Sequence, residues 1–281
     1  MLRCGRFTLA LERTLLMGVI NVTPDSFSDG GQFVDLSHAV QHAKQLVDEG
    51  ADILDIGGES TRPGADPVPL EVERKRVLPV LERVVDLGVA ISIDTYKPGL
   101  MREVINAGAS MINDIFGLRT PGALEAVADS DAAVCIMHMQ GEPTTMQLAP
   151  HYDDVVAEVA HFLTTQAQIA IQRGIDRSRI VLDPGFGFGK TAQHNLALVR
   201  ALPALAGKGF PLLAGLSRKS LLGKITGKPV GQRVHESVAA ALLAAQKGVS
   251  ILRVHDVAAT RAALLVQQTI DNNRFAPVES K

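Results

Sequence analysis

The chain has 281 residues, 46% of them hydrophobic, which is enough to bury one sizeable core. Its formal charge of −2 argues against a nucleic-acid or anionic-membrane binder, since either normally needs a basic excess. No apolar run approaches the ~20 residues that a bilayer span requires. Cys4 and Cys135 have neither metal-ligand spacing nor the pattern of a disulfide framework, which suits a reducing, cytoplasmic setting. Near the N-terminus, Glu12 and Arg13 interrupt the stretch where a signal sequence would carry its apolar segment, so no export is expected.

In chain order, residues 1–10 precede the first repeating unit and suit a short hairpin. Short aliphatic runs then follow at 15–20, 52–56, 90–93, 111–115, 133–137, 180–182, 211–214 and 251–254. They are β-branched or aliphatic with little alternation, as expected of strands buried on both faces. Helical patterns lie between and after them, at 37–49, 70–87, 98–107, 121–128, 153–173, 192–201, 234–247 and 257–270. Gly50, Gly88, Gly108, Gly174 and Gly248 stand just past helix ends, where a left-handed residue closes the last turn. Eight strand-then-helix units predict an α/β fold, a (β/α)8 barrel with a short N-terminal hairpin, as one domain over 1–281. An open doubly wound sheet of the same units is the alternative.

A parallel barrel delivers every strand's C-terminal end to one rim, where its chemistry resides. Polar groups recur where the apolar runs stop: Asn21, Gly57 through Arg62, Asp94, Asn113 with Asp114, His138, Asp183, Ser217 through Lys219, and Arg253 with His255. A turn or helix cap explains any one of them, but not the whole set. Asp94, Asn113, Asp183 and Lys219 suit an amino-oxo heterocycle, because a buried carboxylate accepts strongly from a ring N–H and an exocyclic amine. Arg62, Arg253 and His255 suit an anion, and Asn21 offers an oxygen to Mg2+.

Some motifs invite other interpretations. Gly189-Lys190-Thr191 suggests a phosphate-binding P-loop, but the glycine required five residues before Gly189 is Pro184. His38 and His42 lie one helical turn apart with no third ligand nearby, as on an ordinary surface helix. His138 is open to two roles, touching a ligand or capping its strand. Arg74, Lys75 and Arg76 suit a solvated helix face. Segments 22–32 and 59–69 are long for strand-to-helix connections, and their place on the active rim suggests mobile lids.

Five stretches then resemble one family. They are Gly18-Val19-Ile20-Asn21-Val22-Thr23-Pro24-Asp25-Ser26-Phe27-Ser28-Asp29-Gly30-Gly31, Gly58-Glu59-Ser60-Thr61-Arg62-Pro63-Gly64, Asp183-Pro184-Gly185-Phe186-Gly187-Phe188-Gly189-Lys190, Ser217-Arg218-Lys219-Ser220 and Arg253-Val254-His255-Asp256. Together and in this order they resemble the signatures of the dihydropteroate synthases, a pterin-binding barrel family. The resemblance implies condensation of a pterin methyl diphosphate with 4-aminobenzoate, with Mg2+ as cofactor and a homodimer as the working form. It implies Asp94, Asn113, Asp183 and Lys219 around the pterin, and Asn21 on the metal. It also implies Thr61, Arg62, Arg253 and His255 around the diphosphate and reaction centre, with Val254 among the substrate-binding residues. Phe27, Thr61, Pro63, Phe188, Ser217 and Lys219 would face 4-aminobenzoate, and Asp94, Lys219, Arg253 and His255 would serve the chemistry. A related barrel that moves a methyl group from a methyl-folate to a corrinoid protein is one alternative; a non-catalytic pterin binder is another.

Overall fold

The structure, a computed structural model, describes residues 1–23, 31–61 and 64–271, with backbone alone at 31–35. A two-stranded antiparallel hairpin, β1 (Leu2–Cys4) and β2 (Phe7–Leu9), comes first. The barrel strands are β3 (Leu15–Asn21), β4 (Ile53–Gly57), β5 (Ala90–Asp94), β6 (Met111–Asp114), β7 (Ala133–Met137), β8 (Ile180–Asp183), β9 (Leu213–Ala214) and β10 (Ile251–Val254). They pair in parallel in the order β8-β7-β6-β5-β4-β3-β10-β9. Leu182 also pairs in parallel with Leu212 just before β9, and its N–H donates to the Pro211 carbonyl at 3.0 Å. That contact brings the two sheet edges together as a (β/α)8 barrel.

The helices are α1 (Gly31–Asp48), α2 (Leu70–Val84), α3 (Pro98–Asn106), α4 (Ala123–Ala128), α5 (Val155–Gln172), α6 (Ala192–Ala206), α7 (Ser220–Thr226), α8 (Val234–Gln246) and α9 (Val257–Asp271). Local chemistry sets several of their starts. Asp154 accepts from the N–H groups of Val156 and Ala157 at 2.9 and 3.0 Å, and Pro98 occupies the first turn of α3. Thr191 and His194 cap α6 reciprocally.

Strand alternation divides the core. Leu16, Ile20, Leu54, Ile56, Ile93, Ile112, Ile136, Leu182 and Val254 face outward and pack with the helices. Leu15, Met17, Ile53, Ala90, Met111, Ala133, Cys135, Val181, Leu213 and Ile251 face inward, and Leu2 and Cys4 of the hairpin plug them from below. The inside of the barrel is therefore apolar at its floor. Both cysteines are buried and unpaired.

The structure moves several sequence-derived boundaries. Strands β3, β5 and β8 run on to Asn21, Asp94 and Asp183, because a backbone ladder continues past the last apolar side chain. Helix α2 stops at Val84 rather than 87. Helix α6 continues through Pro203 to Ala206, since a proline there forfeits one hydrogen bond without ending the helix. β9 has two residues rather than four, and α7 was not foreseen. Arg74 and Arg76 are half-buried rather than free on a solvated face. Arg74 pairs with Glu103, and Arg76 donates to the Gly58 carbonyl at 2.7 Å.

Leu2 is fully buried at the end of the barrel away from the polar strand ends. Leu2→Ala is expected to lower unfolding free energy by about 2–5 kcal/mol, the usual cost of such a truncation. Chemical denaturation reads this directly, and a loss within about 0.5 kcal/mol, the range of a surface change, would mean that the hairpin does not plug the floor.

Candidate active site

Register assembles the site. Asn21, Gly57, Asp94 and Asn113 are successive partners across β3, β4, β5 and β6, so they form one inward row at the strand ends. Asp55 lies on the same face two residues below Gly57, and Arg253 enters from β10 beside Met17. Asp183 ends β8. Because Asn21, Asp94, Asn113 and Asp183 sit on strands rather than loops, a rigid frame holds them.

Arg253 is the electrostatic centre of this row. Its Nε donates to Asp55 Oδ2 at 2.6 Å and its Nη2 to Asp94 Oδ2 at 3.1 Å. Asn113 Nδ2 donates to the same Asp55 oxygen at 3.2 Å. Asp55 Oδ1 and Asn113 Oδ1 are buried without a hydrogen-bond partner among the described residues. Two acceptors are thus left facing the interior.

Burial shifts these groups. Asp94 is pushed up to about 7 by burial, with Arg253 opposing and Asp55 reinforcing the rise. Asp183 rises to about 6 for the same reason, although it accepts from the Gly185 N–H at 2.7 Å. Burial lowers Lys219 to about 8, with Arg253 repelling its charge and Asp183 and Asp94 favouring it. Lys219 Nζ also stands 4.2 Å from the centre of the Phe188 ring.

Burial and the nearby Arg253 and Arg218 push His255 down to about 3, so its ring favours the neutral form and can meet an anion through an N–H rather than a full charge. Its Nδ1 lies 3.0 Å from Ser217 Oγ, which also accepts from the His255 N–H at 3.2 Å. The Val254 side chain packs in the outward-facing core, which leaves its backbone at the rim. His138 is buried beside Lys190, with its Nδ1 3.0 Å from Lys190 Nζ, which favours the strand-capping role.

Phe27, Arg62 and Pro63 lie outside the described residues, as do 24–30 of the first proposed lid. Thr61 is half-buried at the start of the second. The described parts of that second segment, 59–61 and 64–69, make several contacts with the rest of the chain. Glu59 pairs with Lys97 and accepts from Tyr96 and the Val68 N–H, while the Gly64 N–H donates to the Pro143 carbonyl at 3.2 Å.

A cleft of about 450 Å3 opens beside the row, lined by Asn21, His255, Arg218, His38 and His42 among others. A side-chain carbon at Gly57 would lie 3.9 Å from Asn21 Oδ1 and 3.6 Å from the Asp94 Cβ, so glycine keeps that space open. The described residues hold no cluster of three His, Cys, Asp or Glu able to bind a metal. Among the described residues Asn21 offers a hard cation one oxygen donor.

The pterin binding enzyme family model matches residues 17–255. A dihydropteroate synthase of Neisseria meningitidis serogroup B is 51% identical over 278 residues, 96% of this chain and 98% of that one. The chain belongs to the dihydropteroate synthase family. Two solved family members superpose closely. Xanthomonas albilineans dihydropteroate synthase with 4-aminobenzoic acid has a TM-score of 0.89 and 55% identity, covering 94% of this chain and 95% of that one. The Burkholderia cenocepacia enzyme with 7,8-dihydropteroate also reaches 0.89, at 50% identity, over 97% and 96%. Members of this family are transferases, and family membership decides against the methyl-transfer alternative. It is also compatible with a divalent cation. Among the described residues no helix is long and apolar enough to cross a membrane.

Sequence reasoning passed over Asp55, which stands inside an apolar run rather than at its end. The signal was its inward parity with Ile53 and Gly57.

Asp183 also makes a stability prediction. Its carboxyl pKa rises from 3.8 to about 6 on folding, so the folded state holds the proton more tightly. That contribution is complete below pH 3.8 and is lost as pH rises through about 6, a cost of up to roughly 3 kcal/mol. Asp183→Asn keeps an acceptor for the Gly185 N–H and is expected to melt higher than wild type at pH 8, with little gain at pH 4. Thermal denaturation at both values checks it. No gain at pH 8 would mean that Lys219 already offsets the buried charge.

Proposed function

We propose that this chain joins (7,8-dihydropterin-6-yl)methyl diphosphate to 4-aminobenzoate, giving 7,8-dihydropteroate and diphosphate. The observation that carries this is the buried acceptor row, in which Asp55 Oδ1 and Asn113 Oδ1 have no hydrogen-bond partner among the described residues, beside Asp94 and Arg253. A pterin presents ring and exocyclic N–H groups that such acceptors match. The printed names of relatives binding 4-aminobenzoic acid and 7,8-dihydropteroate support the substrate classes.

The roles divide by position. Asp94, Asn113 and Asp183 accept from the pterin, and Lys219 donates to it. Arg253, Thr61, Arg62, the neutral His255 and the Val254 backbone surround the diphosphate and the methylene carbon. Phe188, Ser217 and Lys219, with Phe27, Thr61 and Pro63, hold 4-aminobenzoate. When bound beside Asn21, Mg2+ supplies positive charge that offsets the leaving diphosphate. The methylene C–O bond breaks with its electron pair passing to diphosphate, the amine nitrogen forms the new C–N bond, and the amine then loses a proton. Asp94 and Asp183, held against the ring, favour positive charge as it develops there. No covalent enzyme intermediate is needed.

We further infer a single working domain over 1–281, a cytoplasmic setting and a homodimer. Exposed Leu243 on α8 and Leu265 and Val266 on α9 offer an apolar face for self-association.

Product analysis after mixing protein, Mg2+, the pterin diphosphate and 4-aminobenzoate tests the reading, with 7,8-dihydropteroate and diphosphate expected in equal amounts. Pterin binding without product would instead support a non-catalytic binder. Asp183→Asn is expected to weaken pterin affinity by about tenfold or more in calorimetry, since a hydrogen bond to a charged group contributes about 1.5–3 kcal/mol. Unchanged affinity in the folded variant would remove Asp183 from the pterin site.

A further inference from the structure

The segment following β8 resembles a phosphate loop in sequence and has the opposite polarity in space. Gly185, Gly187 and Gly189 all have left-handed backbone, with φ of 67°, 81° and 59°. Lys190 is turned inward and buried, and its Nζ donates to the carbonyls of Gly185 at 3.0 Å, Phe188 at 2.9 Å and His138 at 3.2 Å. His138 Nδ1 is a fourth acceptor at 3.0 Å. Burial pushes the His138 ring down to about 3, and Nδ1, facing an ammonium that can only donate, is the accepting nitrogen of the neutral ring. Burial lowers Lys190 to about 7, with Asp183 favouring its charge, and in the charged form its three protons are all taken up by these four acceptors. The loop therefore wraps its own cation with carbonyl oxygens, where a phosphate loop would present N–H groups.

The same backbone is fixed from outside the cage. Gln147 Nε2 donates to the Gly187 carbonyl at 2.5 Å, Asn195 Oδ1 accepts from the Gly187 N–H at 2.8 Å, and the Tyr152 hydroxyl donates to the Gly189 carbonyl at 2.8 Å. A Cβ at Gly185 would fall 2.0 Å from the His138 carbonyl oxygen, so the loop lies directly on the end of β7. On its other side the loop carries the Phe188 ring, 4.2 Å from Lys219 Nζ, and Gly187, whose Cβ position lies 3.3 Å from Lys219 Cδ.

We propose that Lys190 is a positioning residue for the 4-aminobenzoate side of the site: its carbonyl cage sets Gly187 and Phe188 against the Lys219 side chain. This rests on the function proposed above. Lys190 acts through Phe188 and Lys219, because its own ammonium has no proton left for a ligand.

Lys190→Met in the full chain keeps much of the side-chain volume and removes the donors. Circular dichroism and melting establish folding, and calorimetry then measures a pterin lacking diphosphate, followed by 4-aminobenzoate in the presence of pterin and diphosphate. The expected result is a loss of about tenfold or more for 4-aminobenzoate, of the order of one charged hydrogen bond, with pterin affinity within about threefold. Steady-state assays are expected to show the same shift in KM for 4-aminobenzoate. A merely structural role would lower the active fraction, hence apparent kcat, and leave that KM unchanged. Gln147→Leu, at an exposed position, releases only the Gly187 carbonyl. It is expected to shift 4-aminobenzoate by about threefold without lowering the melting temperature, and it keeps the test open should Lys190→Met not fold. Unchanged 4-aminobenzoate affinity in the folded variants, or equal losses for both ligands, would overturn the proposal. A wild-type protein that binds both ligands without forming product would count against the condensation alone, since the affinity shifts still report on the cage.

Discussion

Burying three carboxylates on the inside of a barrel is the constraint around which the upper half of this molecule is organised. Asp55, Asp94 and Asp183 all point inward near the strand ends, where an isolated charge would be costly. Arg253 spans the first two, and Lys219 balances charge near Asp183 and Asp94. The balance is incomplete, as the raised Asp94 and Asp183 demonstrate. Under the proposed function, a ligand's N–H donors would stabilise these carboxylates by hydrogen bonding. The same strands are apolar lower down, so the floor supplies stability that the rim gives up.

Most of this arrangement was legible because parallel-barrel strands separate chemistry from packing by position. The aliphatic runs marked the strands, and the first polar residue after each run marked the rim. Two further features follow from strand parity, which the apolar runs alone do not display. Arg253 and His255 face inward, which obliges Val254 between them to face the helices. Asp55 shares the parity of Ile53 and Gly57, so it faces the interior although apolar neighbours flank it. The charge on His255 was not legible at all. It depends on burial and on two arginines, Arg253 and Arg218, of which Arg218 arrives from a different strand end. Likewise Arg74 and Arg76 looked like a solvated run until α2 was seen packed beside Glu103 and the Gly58 carbonyl. Phe27, Arg62 and Pro63 are in the sequence motifs but outside the described residues, so Phe27 and Pro63 are assigned by the resemblance and Arg62 by it together with its place after a strand end.

Two cations near the rim show how acceptor identity decides what a positive charge can do. Lys190 is surrounded by backbone carbonyls and a neutral imidazole, none of which a substrate can displace without opening the loop. Arg253 is paired with Asp55 and Asp94, side chains with oxygens that a pterin's N–H groups can also occupy. Under the proposed function, a pterin that donates to those carboxylates would share oxygens that Arg253 now uses, and the guanidinium could turn part of its hydrogen-bonding capacity toward an anion. Binding of the ring would then prepare the diphosphate side of the same site. The coupling needs no movement of the strands, because the carboxylates and the guanidinium already share one inward face.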